Sequence, residues 1–118
     1  MKKVMQCKSA PEIELSIDGG ASVLLRFDVQ MFSNLQEDTK GGLKALLKKS
    51  PAEMAALIIY AAGKDNNENF TREKARALTS AMDFATVSEI IETFNQSAGL
   101  NTDDTAQKKM LEELLKTI

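Results

Sequence analysis

The 118-residue chain contains no histidine, no tryptophan and one cysteine. Without histidine, Ser-His-Asp triads and histidine-bearing zinc sites are excluded. A single cysteine rules out a cysteine-only zinc site and an intrachain disulfide. Cys7 also lacks a histidine base and lies in a weakly patterned N-terminal stretch, so it reads as an inert thiol. Charge of one sign is also missing: the net charge is −2 and the sequence pI about 5.2. That balance offers no electrostatic case for nucleic acid, which calls for a clearly basic domain or stripe. Long apolar runs are absent too. The longest, residues 55–62, falls far short of the ~20 residues a membrane-spanning helix needs. Met1-Lys2-Lys3 is not followed by the apolar core of a secretory signal, and with the lone cysteine this points to a reducing compartment.

Several fragments imitate chemical motifs without completing them. Gly19-Gly20 and Gly41-Gly42 lack the further glycines and the Lys-Ser/Thr ending of phosphate loops, and read as a turn and a helix break. Asp65-Asn66-Asn67-Glu68-Asn69 lacks the ligand spacing and central glycine of a calcium loop, and reads as a solvated interhelical loop. The acid pairs Glu12 and Glu14, and Asp103 and Asp104, read as solvating groups. No catalytic, cofactor or metal site is therefore expected. A binding or assembly role is expected in place of an enzyme.

What is present is patterned. Hydrophobic residues make up 43% and charged residues 27%, ordinary for one folded domain. Aromatics are only 5%, so Leu, Ile, Ala and the six Met must fill most of the core. Ile13, Leu15 and Ile17 alternate with polar residues, Asp18-Gly19-Gly20 offers a turn, and residues 22–27 place Val23, Leu25 and Phe27 on one face. A lone hairpin is marginal in water, so it should lie on helices or pair with another chain's edge.

Asp28 or Ser33 can cap a helix carrying Met31, Phe32 and Leu35, which Gly41-Gly42 interrupts before a short piece over 43–47. Ser50-Pro51-Ala52-Glu53 is a capping box that opens an almost wholly apolar helix, expected to be central and to stop at Gly63. Thr71 caps a helix running through Met82, with Ala75, Leu78 and Met82 facing inward. A turn near 83–85 leads to a second box, Thr86-Val87-Ser88-Glu89, and a helix with Val87, Ile90, Ile91 and Phe94 inward, ended by Gly99. The expected fold is α+β, mostly α: a short N-terminal β-hairpin followed by a bundle of about five helices. Residues 1–11 are expected to be a flexible tail or edge strand, 12–99 the hairpin and helical domain, and 100–118 a linker and C-terminal amphipathic helix.

Two surface features stand out. Lys40, Lys44 and Lys48 recur every four residues beside Lys49, and would share one helix face as a solvated basic cluster. The terminal segment carries a continuous apolar stripe, Met110, Leu111, Leu114, Leu115 and Ile118, suited to a partner's apolar groove or to the chain's own domain. This stripe is the first expectation for partner contact, with Phe32 and Leu35 as a second.

The stretch over residues 16–97 resembles the small tail assembly chaperones of long-tailed bacteriophages and related prophage or gene-transfer-agent elements. The resemblance lies in the order of parts. Leu24-Leu25-Arg26-Phe27-Asp28 leads into Met31-Phe32-Ser33-Asn34-Leu35-Gln36-Glu37, then Leu43-Lys44-Ala45-Leu46-Leu47. The apolar Ala56-Leu57-Ile58-Ile59-Tyr60-Ala61-Ala62 follows, then a polar loop into Phe70-Thr71-Arg72-Glu73-Lys74, and finally residues 87–97. The resemblance implies a non-enzymatic protein of the host bacterial cytoplasm. Its implied partner is the tape-measure protein, with the tail tube protein a second contact and self-association in several members. The alternative is a small helix-turn-helix DNA-binding regulator using the pair over residues 71–94. The shortage of basic residues over 87–100, where a recognition helix would lie, stands against it.

Overall fold

The computed structural model describes residues 2–5, 9–16 and 22–99. The fold is α+β and mostly α, an antiparallel hairpin followed by five helices. Strand β1 (Glu12–Ser16) pairs with β2 (Ser22–Arg26) in the register Ile13↔Leu25 and Leu15↔Val23, which puts the apolar residues of both strands on one face. Pairing continues one step beyond the strands, where the Phe27 N–H donates to the Pro11 carbonyl at 2.9 Å. Ile17 and the expected Asp18-Gly19-Gly20 turn lie outside the described residues.

Between the two candidate caps for α1 (Val29–Asp38), the structure selects Asp28, whose Oδ1 accepts from the Met31 N–H at 2.9 Å. Gly41 and Gly42, at φ +91° and +71°, then make the left-handed turn that side chains resist and open α2 (Gly42–Leu47). Lys40 precedes α2 and Lys48 follows it, so the expected single basic helix face does not form. A helix too short to include both ends cannot carry the four-residue period.

Helix α3 (Pro51–Gly63) opens as its sequence dictates. The Ser50 hydroxyl accepts from the Glu53 N–H, and Pro51 occupies the first turn where no donor is required. Ala55, Ile58, Ile59, Ala61 and Ala62 are buried, and α3 packs against β2, α1, α4 and α5. It is the central element, as its all-round apolarity predicts. The helix ends at Gly63 as expected, with Lys64 as the cap, but without a left-handed glycine. The role of Gly63 is space. A Cβ there would meet the Phe70 ring at 2.9 Å.

The loop after α3 is not simply solvated. Helix ends leave carbonyls without intrahelical donors, and asparagine amides fill those places here. Asn34 from α1 donates to the Ala61 oxygen at 3.0 Å, Asn66 to Ala62 at 3.0 Å, and Asn67 to Gly63 at 2.8 Å. Asn67 also binds the outer edge of β2 as a neighbouring strand would. Its Oδ1 accepts from the Leu24 N–H at 3.0 Å and its Nδ2 donates to the Leu24 oxygen at 2.9 Å. Asn69, at φ +57°, turns the chain into the next helix, a conformation asparagine tolerates.

Thr71 caps α4 (Arg72–Ala81) as expected, its hydroxyl accepting from the Lys74 N–H. α5 (Phe84–Ser97) begins a turn earlier than expected. Asp83 is its cap, with Oδ1 accepting from the Thr86 N–H at 2.9 Å, which leaves the Thr86 box inside the helix. The hydrogen bonds from Thr86 hold the Asp83 carboxyl below its usual range. Gly99, at φ +74°, follows the helix end. The core joins Leu25, Phe27, Met31, Leu46, Ile58, Ile59, Ile90 and Phe94 from every element but β1 and α4, and Ala75 adds α4. Ile13 and Leu15 of β1 pack against its edge.

Asn67→Ala removes one of the two donors to the Gly63 oxygen, the other being the Asn66 N–H, and the partners of both the Leu24 N–H and the Leu24 oxygen. Urea unfolding should show a loss of about 1–3 kcal/mol, the scale of part-buried polar groups left without partners, whereas an unchanged midpoint would mean that water replaces the amide.

Candidate functional site

A groove of about 660 Å³ opens between α3 and α4 and is closed at one end by the C-terminus of α1. Its floor is one face of α3: Ala52, Ala56, Leu57 and Tyr60. The opposite wall is one face of α4: Arg72, Arg76, Thr79 and Ser80. Residues at i, i+4 and i+7 or i+8 share a helix face, so each element presents a continuous strip. Asp38, Thr39 and Lys40 close the α1 end, and Lys49 and Glu53 flank the start of α3.

One corner is rigidly built. The Asp38 carboxylate, with only a tenth of its side chain exposed, takes Lys64 Nζ at 3.1 Å and the Arg72 guanidinium at 3.4 Å. Both cations also lie against the Tyr60 ring, Lys64 at 5.5 Å and Arg72 at 5.6 Å from its centre. Phe70 stacks on the same ring at 6.3 Å. One carboxylate and one aromatic face thus orient two cations, and Arg72 is left half-exposed at the groove. Thr39, beside Asp38, is buried, and its hydroxyl has no hydrogen-bond partner.

The groove's charge runs opposite to that of the chain. Four cations, Lys40, Lys49, Arg72 and Arg76, face two carboxylates, Asp38 and Glu53, in a protein of net charge −2. The expected lysine cluster supplies only Lys40 and Lys49; the arginines come from α4. The one sequence signal for this strip is the i, i+4 spacing of Arg72 and Arg76.

The residues expected to contact a partner fall elsewhere. Met110, Leu111, Leu114, Leu115 and Ile118 lie outside the described residues. Leu35 is 4% exposed and belongs to the core, so it offers no surface in this fold. Phe32 is half-buried, with its ring 5.6 Å from that of Phe94. The crevice it shares with Leu35, Leu43 and Leu46 measures about 40 Å³, little more than one water molecule occupies. Among the described residues, no group of His, Cys, Asp or Glu could hold a metal ion, and no helix is long and apolar enough to cross a membrane.

The α4–α5 pair can be weighed as a DNA reader. The exposed residues of α5 include Ser88, Glu89, Glu92 and Gln96, and residues 77–99 contain no Lys or Arg. A recognition helix of this composition would meet phosphates with like charge.

Replacing Asp38 by Ala leaves Lys64 and Arg72 crowded on one ring without their shared anion. Denaturant titration should show a cost of about 2 kcal/mol, against less than about 1 kcal/mol for Arg72→Ala, whose side chain is half in water. Equal costs would contradict the role assigned to Asp38.

No family model matches this chain, and neither a curated protein nor a solved structure matches it.

Proposed function

We propose that the protein is a phage tail assembly chaperone, a non-enzymatic protein of the host cytoplasm that binds the tape-measure protein, with the tail tube protein a second contact. The observation that carries this reading is the order of parts. The hairpin ending at Leu24-Leu25-Arg26-Phe27-Asp28, the early α1, the short α2, the apolar α3, the polar loop and the pair α4 and α5 follow the order of the stretches that resemble that family.

The physical demands of the role also suit the chain. A protein that keeps long amphipathic helices in solution needs helix-sized grooves and apolar strips, and needs no reactive group. The α3–α4 groove is one such surface. The stripe of Met110, Leu111, Leu114, Leu115 and Ile118 is a second in the sequence, and self-association through it fits the same chemistry.

The test is capture. The DNA flanking the gene identifies the partner as a very long helical reading frame, and its product is co-expressed with the tagged full chain. Wild-type protein should retain that product on affinity resin. Leu111→Asp combined with Leu114→Asp should reduce the retained amount at least about tenfold, since each buried charge opposes docking by several kcal/mol, with circular dichroism unchanged. Failure of the wild-type chain to retain the product contradicts the function. Full retention by the double variant removes the terminal stripe from it.

A further inference from the structure

We propose that the groove between α3 and α4 docks an acidic amphipathic helix, so that this protein selects its partner segments by their carboxylates as well as by their apolar ridge. The inference rests on the reading that the partner is a long helical protein, and it adds which face of that partner is held.

Shape is the first argument. The groove lies between two helix faces, and a third helix is the body that fills such a channel, ridge into groove. The floor from Ala52 to Tyr60 extends about 12 Å, two turns of such a helix. Ala52 and Ala56 keep it shallow, so a ridge of Ala or Leu can approach α3 closely while Leu57 and Tyr60 supply apolar contact.

Charge is the second argument, and it names the occupant. Lys40, Lys49 and Arg76 form no ion pair with any described residue. Arg72 is held by Asp38 yet keeps half its side chain in solvent. Three of the four cations on the rim of one groove therefore lack a matching acid, in a chain that is acidic as a whole. Arg72 and Arg76 are one turn apart, the spacing of Glu residues at i and i+4 on a facing helix. Lys40, at the α1 end, and Lys49, before the start of α3, add cations outside α4 for further carboxylates of the helix.

The same features disfavour a nucleic acid. Asp38, already shared by Lys64 and Arg72, and Glu53, which forms no ion pair with a described residue, line the groove among the cations, where Glu53 would repel a continuous phosphate backbone. A helix can place its acids beside the cations and uncharged residues beside those two carboxylates. The apolar floor is likewise suited to a side-chain ridge.

The probe is a dye-labelled synthetic helical peptide with an Ala/Leu ridge flanked by Glu at i, i+4 spacing, titrated with the full chain and followed by anisotropy. A matched peptide with Gln for Glu should bind at least about tenfold more weakly, and added salt should weaken only the Glu peptide. Arg76→Glu alone, and Lys49→Glu with Arg76→Glu, should weaken the Glu peptide progressively with no change in unfolding midpoint, because neither side chain is ion-paired. A Lys-flanked peptide should then bind the double variant better than the wild type. Equal affinity for the Glu and Gln peptides, undiminished binding by the double variant, or tighter binding of duplex DNA than of the Glu peptide would each overturn the proposal. Loss of peptide recognition alongside continued capture of the tape-measure product would remove the groove and leave the chaperone function standing. Peptide recognition without that capture would do the reverse.

Discussion

The last carbonyls of a helix need donors from outside it. For α3 this is the constraint the rest of the structure answers. The oxygens of Ala61, Ala62 and Gly63 each receive an asparagine amide, from Asn34, Asn66 and Asn67. The three donors come from two parts of the chain, so capping the helix also assembles the domain. Asn34 brings in α1, and its amide also reaches Asp65 at 2.8 Å. Asn67 brings in the hairpin by pairing with the Leu24 peptide. A two-stranded sheet that would be marginal alone thereby gains a third hydrogen-bonded edge and an apolar floor.

The position of that cap sets where the open surface lies. α1, the hairpin and α5 cover much of α3. α4 returns beside it and leaves the Ala52-to-Tyr60 strip facing a groove. The Asp38 cluster lies just beyond the capped end, where Lys64 and Arg72 share one carboxylate and one tyrosine ring. The end of α3 that is satisfied by asparagines therefore also orients the arginine that opens the groove's basic wall.

Much of the fold was legible in local patterns. Alternation in residues 13–15 and 23–27 placed the apolar face of the hairpin, and the Ser50-Pro51 start and all-round apolarity of α3 placed the central helix. The failures share a cause. Gly63 does end α3, but the reason for a glycine there, the Phe70 ring packed seven residues on, was not visible. Asn67 looked solvated because its partner, Leu24, lies 43 positions away and no periodicity encodes such a pair. Thr86 looked like a cap because its box is complete, but Asp83 three residues earlier takes the Thr86 N–H itself and starts the helix a turn sooner. The groove was the least legible feature. Its cations come from three separate segments, and the lysine period that drew attention to one of them does not survive the shortness of α2. Leu35 illustrates the converse: an apolar residue on an amphipathic helix was available to either side, and the core took it.

The most direct measurement is the solubility of the proposed partner, a tape-measure product encoded beside this gene, when expressed with and without this chain. The account predicts that the product sediments when made alone and stays in the supernatant, in complex with this protein, when the two are made together. A product that is equally soluble in both cases, or that sediments in both, would contradict the central claim that this domain functions by holding helices.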